Sequence, residues 1–258
     1  MREVVLTIRP LRLLPWIRRR LVFRVAETSD ELLPQQFVAL CAYTYGLTDD
    51  ESFFRRYLGI DPSLLLMLGA WQQYELRDVL QQLPTLQLPA TTFFVPTLPG
   101  GLESPHRRLS GMTFQQFMTV DEYYSWYHAT SDGQWLDRFV AALYLRSDED
   151  YHGRHGRHVP DLDARTAEVA LLPQELKVAV MVNWMLVKEW LGKAYRDLFP
   201  PTETPSEPSS ESRPRPAGWL RLFDAWVGDN VAFLDAYRTM ECTDALRLIN
   251  RKIKESRR

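Results

Sequence analysis

Alternation of apolar and polar positions opens the chain. In RLVFRVA (20–26), Leu21, Phe23 and Val25 alternate with Arg20, Val22 and Arg24, which predicts a strand with one apolar and one partly solvated face. EVVLTIR (3–9) predicts a second strand, and Pro10 and Pro15 break the stretch between them. An N-terminal β-ribbon is therefore expected.

Beyond it the apolar period lengthens to that of a helix. Thr28-Ser29-Asp30-Glu31 has capping-box form and Pro34 suits a first helical position, so a helix is expected from about 34 to 45, stopping at Gly46. Residues 49–58 place Phe53, Phe54, Tyr57 and Leu58 on one stripe. Asp61-Pro62 starts a third helix, LLLMLGAWQQYELRDVLQQL, with Gly69 as a point of interruption and Pro84 as its stop. Residues 84–111 abandon the pattern. Their prolines, the pair Gly100-Gly101 and a β-prone TTFFV predict an ordered connector with one short strand.

Met112–Arg146 is dense in aromatics. Thr113 with Gln116, and Ser131 with Gln134, have capping-box form and predict helices over about 114–128 and 132–145. Phe114, Phe117, Met118, Tyr124 and Tyr127 recur at helical spacing, as do Trp135, Phe139, Ala142 and Leu143. Pro173 opens the most hydrophobic helix, running to about Leu198. Val178, Met181, Val182, Met185 and Leu186 form its stripe, which Trp184 and Trp190 widen. Being apolar all round at its centre, it is expected to be the central core helix.

PPTETPSEPSSESRPRP (200–216) holds six prolines among Ser, Thr and charges and predicts a flexible linker. Three short helices are expected after it, breaking near Gly228 and Thr243, in a piece marginal as an independent domain and so expected to dock on the main body or on a partner. The fold class is thus mainly α (α+β). The expected organisation is a ribbon (1–27), a helical core domain (28–199), the linker (200–216) and a tethered helical segment (217–258).

Composition narrows the class. At 258 residues, with 45% hydrophobic and 25% charged residues, the chain has the balance of a globular protein. The net charge of −2 argues against a dedicated nucleic-acid binder. The ends depart from that average. Residues 2–24 hold seven arginines (Arg2, Arg9, Arg12, Arg18, Arg19, Arg20, Arg24) against Glu3 alone, and the tail from Thr243 is also basic. Cys41 and Cys242, far apart, fit a reducing compartment and neither a disulfide framework nor a zinc site. There is no apolar h-region before Arg9, and the uncharged run 79–102 contains Pro84, Pro89, Pro96 and Pro99. A cytoplasmic protein without a membrane span is expected, made in a host cytoplasm and compatible with incorporation in a particle.

Candidate chemistry is sparse. His152, His155 and His158 form H-x-x-H-x-x-H, flanked by Asp148, Glu149, Asp150, Asp161 and Asp163, and imidazole with carboxylate suits zinc, nickel or iron. Gly153, Gly156 and Pro160 favour a solvated loop instead. Hydrolase-elbow, phosphate-loop and dinucleotide fingerprints are absent. Paired carboxylates such as Asp49–Asp50 and Asp121–Glu122 are expected at helix starts, complementing the dipole. Ser110 and Ser125 have no identifiable histidine partner. Tyr123, Tyr124, Trp126 and Tyr127 cannot all face one way on a helix; the inward ones pack and the outward ones are available to a partner, or to bases and sugars.

The order of segments is itself informative. ETSDELLPQQFVAL, MTFQQFMTVDEYYSWYHATSDGQWLDRFVAALYLR, LLPQELKVAVMVNWMLVKEWLGKAYRDLFP and a detached WLRLFDAWVGDNVAFLDAYRTMECTDALRLINRK follow a leading strand pair. This arrangement resembles a family of proteins encoded among bacterial prophage and phage-tail-like genes. The resemblance implies a structural or assembly role in a tail region, as a tail assembly chaperone or tail-completion protein. It implies no catalytic residues and no cofactor, and the HGRHGRH loop lies outside its pattern.

Three function classes follow. The first is a non-enzymatic interaction and assembly protein whose contacts are Tyr123, Trp126, Tyr127, Trp219 and Trp226, with other proteins, phage tail components among them, as partners. It requires neither membrane nor nucleic acid and is compatible with an oligomer. The second is a metal-dependent enzyme centred on His152, His155 and His158. The third is a nucleic-acid-associated regulator using the basic termini.

Overall fold

Strand β1 (Arg2–Ile8) pairs antiparallel with β2 (Arg19–Val25), and Val5 faces Val22 at the middle of the register. In this computed structural model the described residues are 2–8, 19–26, 28, 31–61, 63, 68–69, 74, 78, 89–152, 157–199, 218–228 and 233–257. The fold is mainly helical. It divides into two compact units, Met1–Leu88 and Pro89–Arg258. That boundary falls inside the stretch 28–199 expected to form one helical core. The expected helix after Pro62 and the linker 200–216 lie almost wholly outside the described residues.

In the first unit the period of two in β2 has the expected consequence. Phe23 and Val25 are buried, while Arg20, Val22 and Arg24 are exposed. Helix α1 (Pro34–Thr44) starts at the expected proline, and before it the Glu31 N–H donates to the Thr28 carbonyl at 3.2 Å. The cap comes from inside the helix, where the Leu33 N–H donates to Gln36 Oε1 at 3.2 Å. The same buried amide donates to the carbonyls of Arg24 at 3.0 Å and Tyr57 at 3.3 Å, tying the ribbon to both helices. Helix α2 (Asp50–Leu58) is capped by Asp49, whose carboxylate accepts the Ser52 N–H at 2.8 Å. It buries Phe53, Phe54 and Tyr57.

The second unit begins with the connector, which holds two short strands rather than one. β3 (Thr97–Leu98) and β4 (Leu102–Glu103) pair across Gly100 and Gly101, at φ 84° and 72°. Glycine alone takes two consecutive positive φ values without a Cβ penalty. Helix α3 (Phe114–Thr130) is capped by Thr113 as expected. Helix α4 (Gly133–Leu143) is not capped by Ser131. That residue ends α3 in the left-handed region, and Asp132 caps α4 by accepting the Gln134 N–H. Helix α5 (Leu162–Ala170), capped by Asp161, follows the histidine loop, where no helix is expected from the sequence. Helix α6 (Gln174–Ala194) is buried all round at its centre, with Trp184 and Asn183 fully inaccessible.

The C-terminal segment forms three helices, α7 (Trp219–Val227), α8 (Leu234–Thr239) and α9 (Cys242–Ser256). It docks on the main body, all three packing against α3. The Phe114 N–H donates to the Met240 carbonyl, and the Cys242 N–H to the Met112 carbonyl, both at 2.9 Å. Burial pushes the thiols of Cys41 and Cys242 well above their ordinary range, so both are poor nucleophiles. Among the described residues no helix is long and apolar enough to cross a membrane.

Candidate functional site

Among the described residues, two places combine accessibility with chemistry: a polar pocket beside Glu149 and an aromatic surface on α3 and α4. The pocket has a volume of about 120 Å³. Its walls come mainly from three segments: 103–106 at the end of β4, 110–113 before α3, and 145–151 after α4. The Glu103 and Leu145 backbones pair reciprocally at 2.8 and 3.0 Å, which sets these loops side by side.

The acidic wall is committed to structure. Glu149 is buried and pairs with the guanidinium of Arg165, which is 1% exposed. Its other oxygen accepts the Arg146 N–H at 2.7 Å. Arg165 also donates to the carbonyls of Ala141 at 3.3 Å and Tyr144 at 3.2 Å, so α5 clamps the end of α4. The cost of burying two charges is offset because each finds polar partners. The side chain of Arg146 reaches Glu168 at 2.5 Å. Gln116, on the pocket floor, donates to the Ala142 and Leu143 carbonyls and so caps the C-terminus of α4.

The histidine motif does not gather as a unit in the described residues. His158 is exposed and its backbone exchanges bonds with Asp148 and Asp150, each at 2.9 Å. His152 is half-buried, with its N–H donated to Asp150 Oδ1, and His155 lies outside the described residues. Among the described residues no group of three or more His, Cys, Asp or Glu side chains is arranged to hold a metal. Asp161 and Asp163, flanking acids in the sequence, are the cap and first turn of α5.

The pair Asp121–Glu122 also departs from expectation. Asp121 is not at a helix start but in mid-α3, 2% exposed. It accepts the indole N–H of Trp219 at 2.7 Å and that of Trp184 at 3.4 Å, and pairs with Lys188 at 2.7 Å. Trp219 is therefore not a free contact residue. It is 7% exposed, packed against Phe114, Phe117 and Phe199. Trp226 is half-buried against Phe114 and Tyr237.

The remaining expected contacts share one surface. Trp126 stacks on Trp135 with centroids 5.7 Å apart and planes at 21°, Tyr123 lies 5.8 Å from Trp135, and the Arg138 guanidinium sits 5.4 Å over the same ring. All four are half-buried, as is Tyr127. Tyr124 instead turns toward Phe139 and Lys188. Trp135 and Arg138 were missed as site residues from sequence. Their signal was available, since α4 follows α3 after a tight turn and brings its first turns beside Tyr123 and Trp126. No protein-family model matches the chain, and neither the curated proteins nor the solved structures yield a match.

Proposed function

We propose that this is a non-enzymatic interaction and assembly protein, acting in the assembly or structure of a phage tail or tail-like particle. One observation carries the interaction role: the half-exposed cluster of Tyr123, Trp126, Trp135 and Arg138 on α3 and α4. Aromatics and arginine are the side chains that dominate protein interfaces, because they bring large area at small entropic cost. The buried carboxylates with the strongest chemistry, Asp121 and Glu149, are engaged in holding helices together. The tail assignment rests on the resemblance in segment order described above.

The test is co-expression of the full chain with the products of its neighbouring genes. Retention of a tail-tube-like or tape-measure-like product is expected, and weakening by about tenfold or more when Trp126 and Trp135 are both replaced by alanine. A metabolic gene neighbourhood, or capture indifferent to those replacements, would overturn the proposal.

A further inference from the structure

The outer face of the β1–β2 ribbon carries an apolar pair that nothing in its own sheet covers. Val5 and Val22 are direct cross-strand partners, 41% and 53% exposed. Arg20 and Arg24 lie two positions to either side of Val22 on the same face, both exposed, and neither forms an ion pair among the described residues. Glu3 stands opposite Arg24 in the register. The inner face, with Phe23 and Val25, is already buried. Among the described residues the sheet has two strands, and a ribbon of that size gains stability from a further strand or a covering surface.

Charge decides between occupants. A second copy would bring another arginine-rich ribbon, seven arginines to one acid over 2–24, against the first, and like charges repel. A nucleic acid would satisfy the arginines, but phosphate cannot cover the valine pair. An extended protein segment with carboxylates two positions to either side of an aliphatic residue presents all three on one face and meets both needs. Lying over the face, it brings its acids to Arg20 and Arg24 and its aliphatic group onto Val5 and Val22.

We infer that this face docks an extended acidic segment of a partner protein in which carboxylates stand two positions to either side of an aliphatic residue. The inference rests on the interaction role proposed above and gives that role a second surface, distinct in sequence from Trp126 and Trp135.

The test uses the full chain and a labelled short peptide repeating glutamate, serine, valine, serine, which puts glutamate and valine on one face, read by fluorescence anisotropy. A lysine–valine peptide and a single-stranded oligonucleotide serve as competitors. Expected is binding of the acidic peptide, about tenfold weaker in the Arg20→Gln/Arg24→Gln double variant because the rim charges are lost, and weakened also by Val5→Thr and Val22→Thr, which retain strand propensity. Circular dichroism confirms that each variant keeps its fold. Absence of peptide binding, equal affinity for the lysine peptide, or displacement by the oligonucleotide alone would overturn the inference. So would dimerisation that disappears in Val22→Thr, which would assign the face to a second copy. Partner capture that depends on Trp126 but not on Arg20 and Arg24 would sink this inference and leave the proposed function standing.

Discussion

The carboxylate of Asp121 and the indole of Trp219 meet at 2.7 Å across 98 residues of sequence. This contact fastens the first helix of the C-terminal segment to the middle of α3. Trp184 and Lys188 on α6 share the same carboxylate, so one side chain joins three helices.

Asp121→Ala is expected to cost about 3 kcal/mol, since it strands two buried indole donors and a lysine. Asp121→Asn keeps an acceptor but removes the charge and should cost less. Urea denaturation followed by tryptophan fluorescence checks both. Equal stability of Asp121→Ala and the parent would show that the carboxylate does not hold α7.

Arg165 and Glu149 form the other buried ionic link. Arg165→Ala leaves Glu149 charged without its buried partner and should destabilise by about 3–5 kcal/mol. Adding Glu149→Gln to that variant should return part of the loss, because the abandoned charge is then gone. A double-mutant cycle on chemical denaturation measures the coupling. Strict additivity of the two changes would contradict the pairing.

Asn183 is fully buried on α6, where its amide accepts the Phe94 N–H at 2.6 Å and donates to the Thr92 carbonyl at 3.2 Å. It substitutes for a strand partner along the connector. Asn183→Leu keeps the volume and strands both backbone groups, at about 2–3 kcal/mol. Hydrogen exchange at Phe94 should accelerate in that variant more than exchange at the centre of α6.

His128 supplies a pH dependence. Burial, followed by the positive charge of Lys188, holds its pKa below the ordinary 6.5. The unfolded chain therefore binds a proton more readily than the folded one, and stability falls as pH drops from near 6.5 toward the depressed folded value. His128→Gln should flatten that part of the curve of denaturation midpoint against pH. An unchanged slope would remove His128 as its source.

The legibility of this chain follows the range of its signals. The ribbon, the starts of α1, α2 and α3, and the burial of α6 all depend on residues within a turn or two of each other. Thr113 shows the limit of such reasoning. Its capping role was readable, but the side chain of Gln116, expected to complete the capping box, bonds to Ala142 and Leu143 on the next helix. Helix α5 was missed because its nine residues carry a weak apolar stripe, and one of its two buried residues is Arg165, polar by pattern.

The sequence by itself determined where the chain can be helical or extended, because periodicity and caps act over three or four positions. It also marked Tyr123, Trp126 and Tyr127 as a surplus of aromatics. Tertiary structure alone decided which polar groups go inside. Asp121, Glu149, Arg165 and Asn183 are buried because partners from other elements meet them there, and burial without those partners would cost more than the fold could offset. The same packing withdrew Trp219 from the surface and brought Trp135 and Arg138 up beside Trp126.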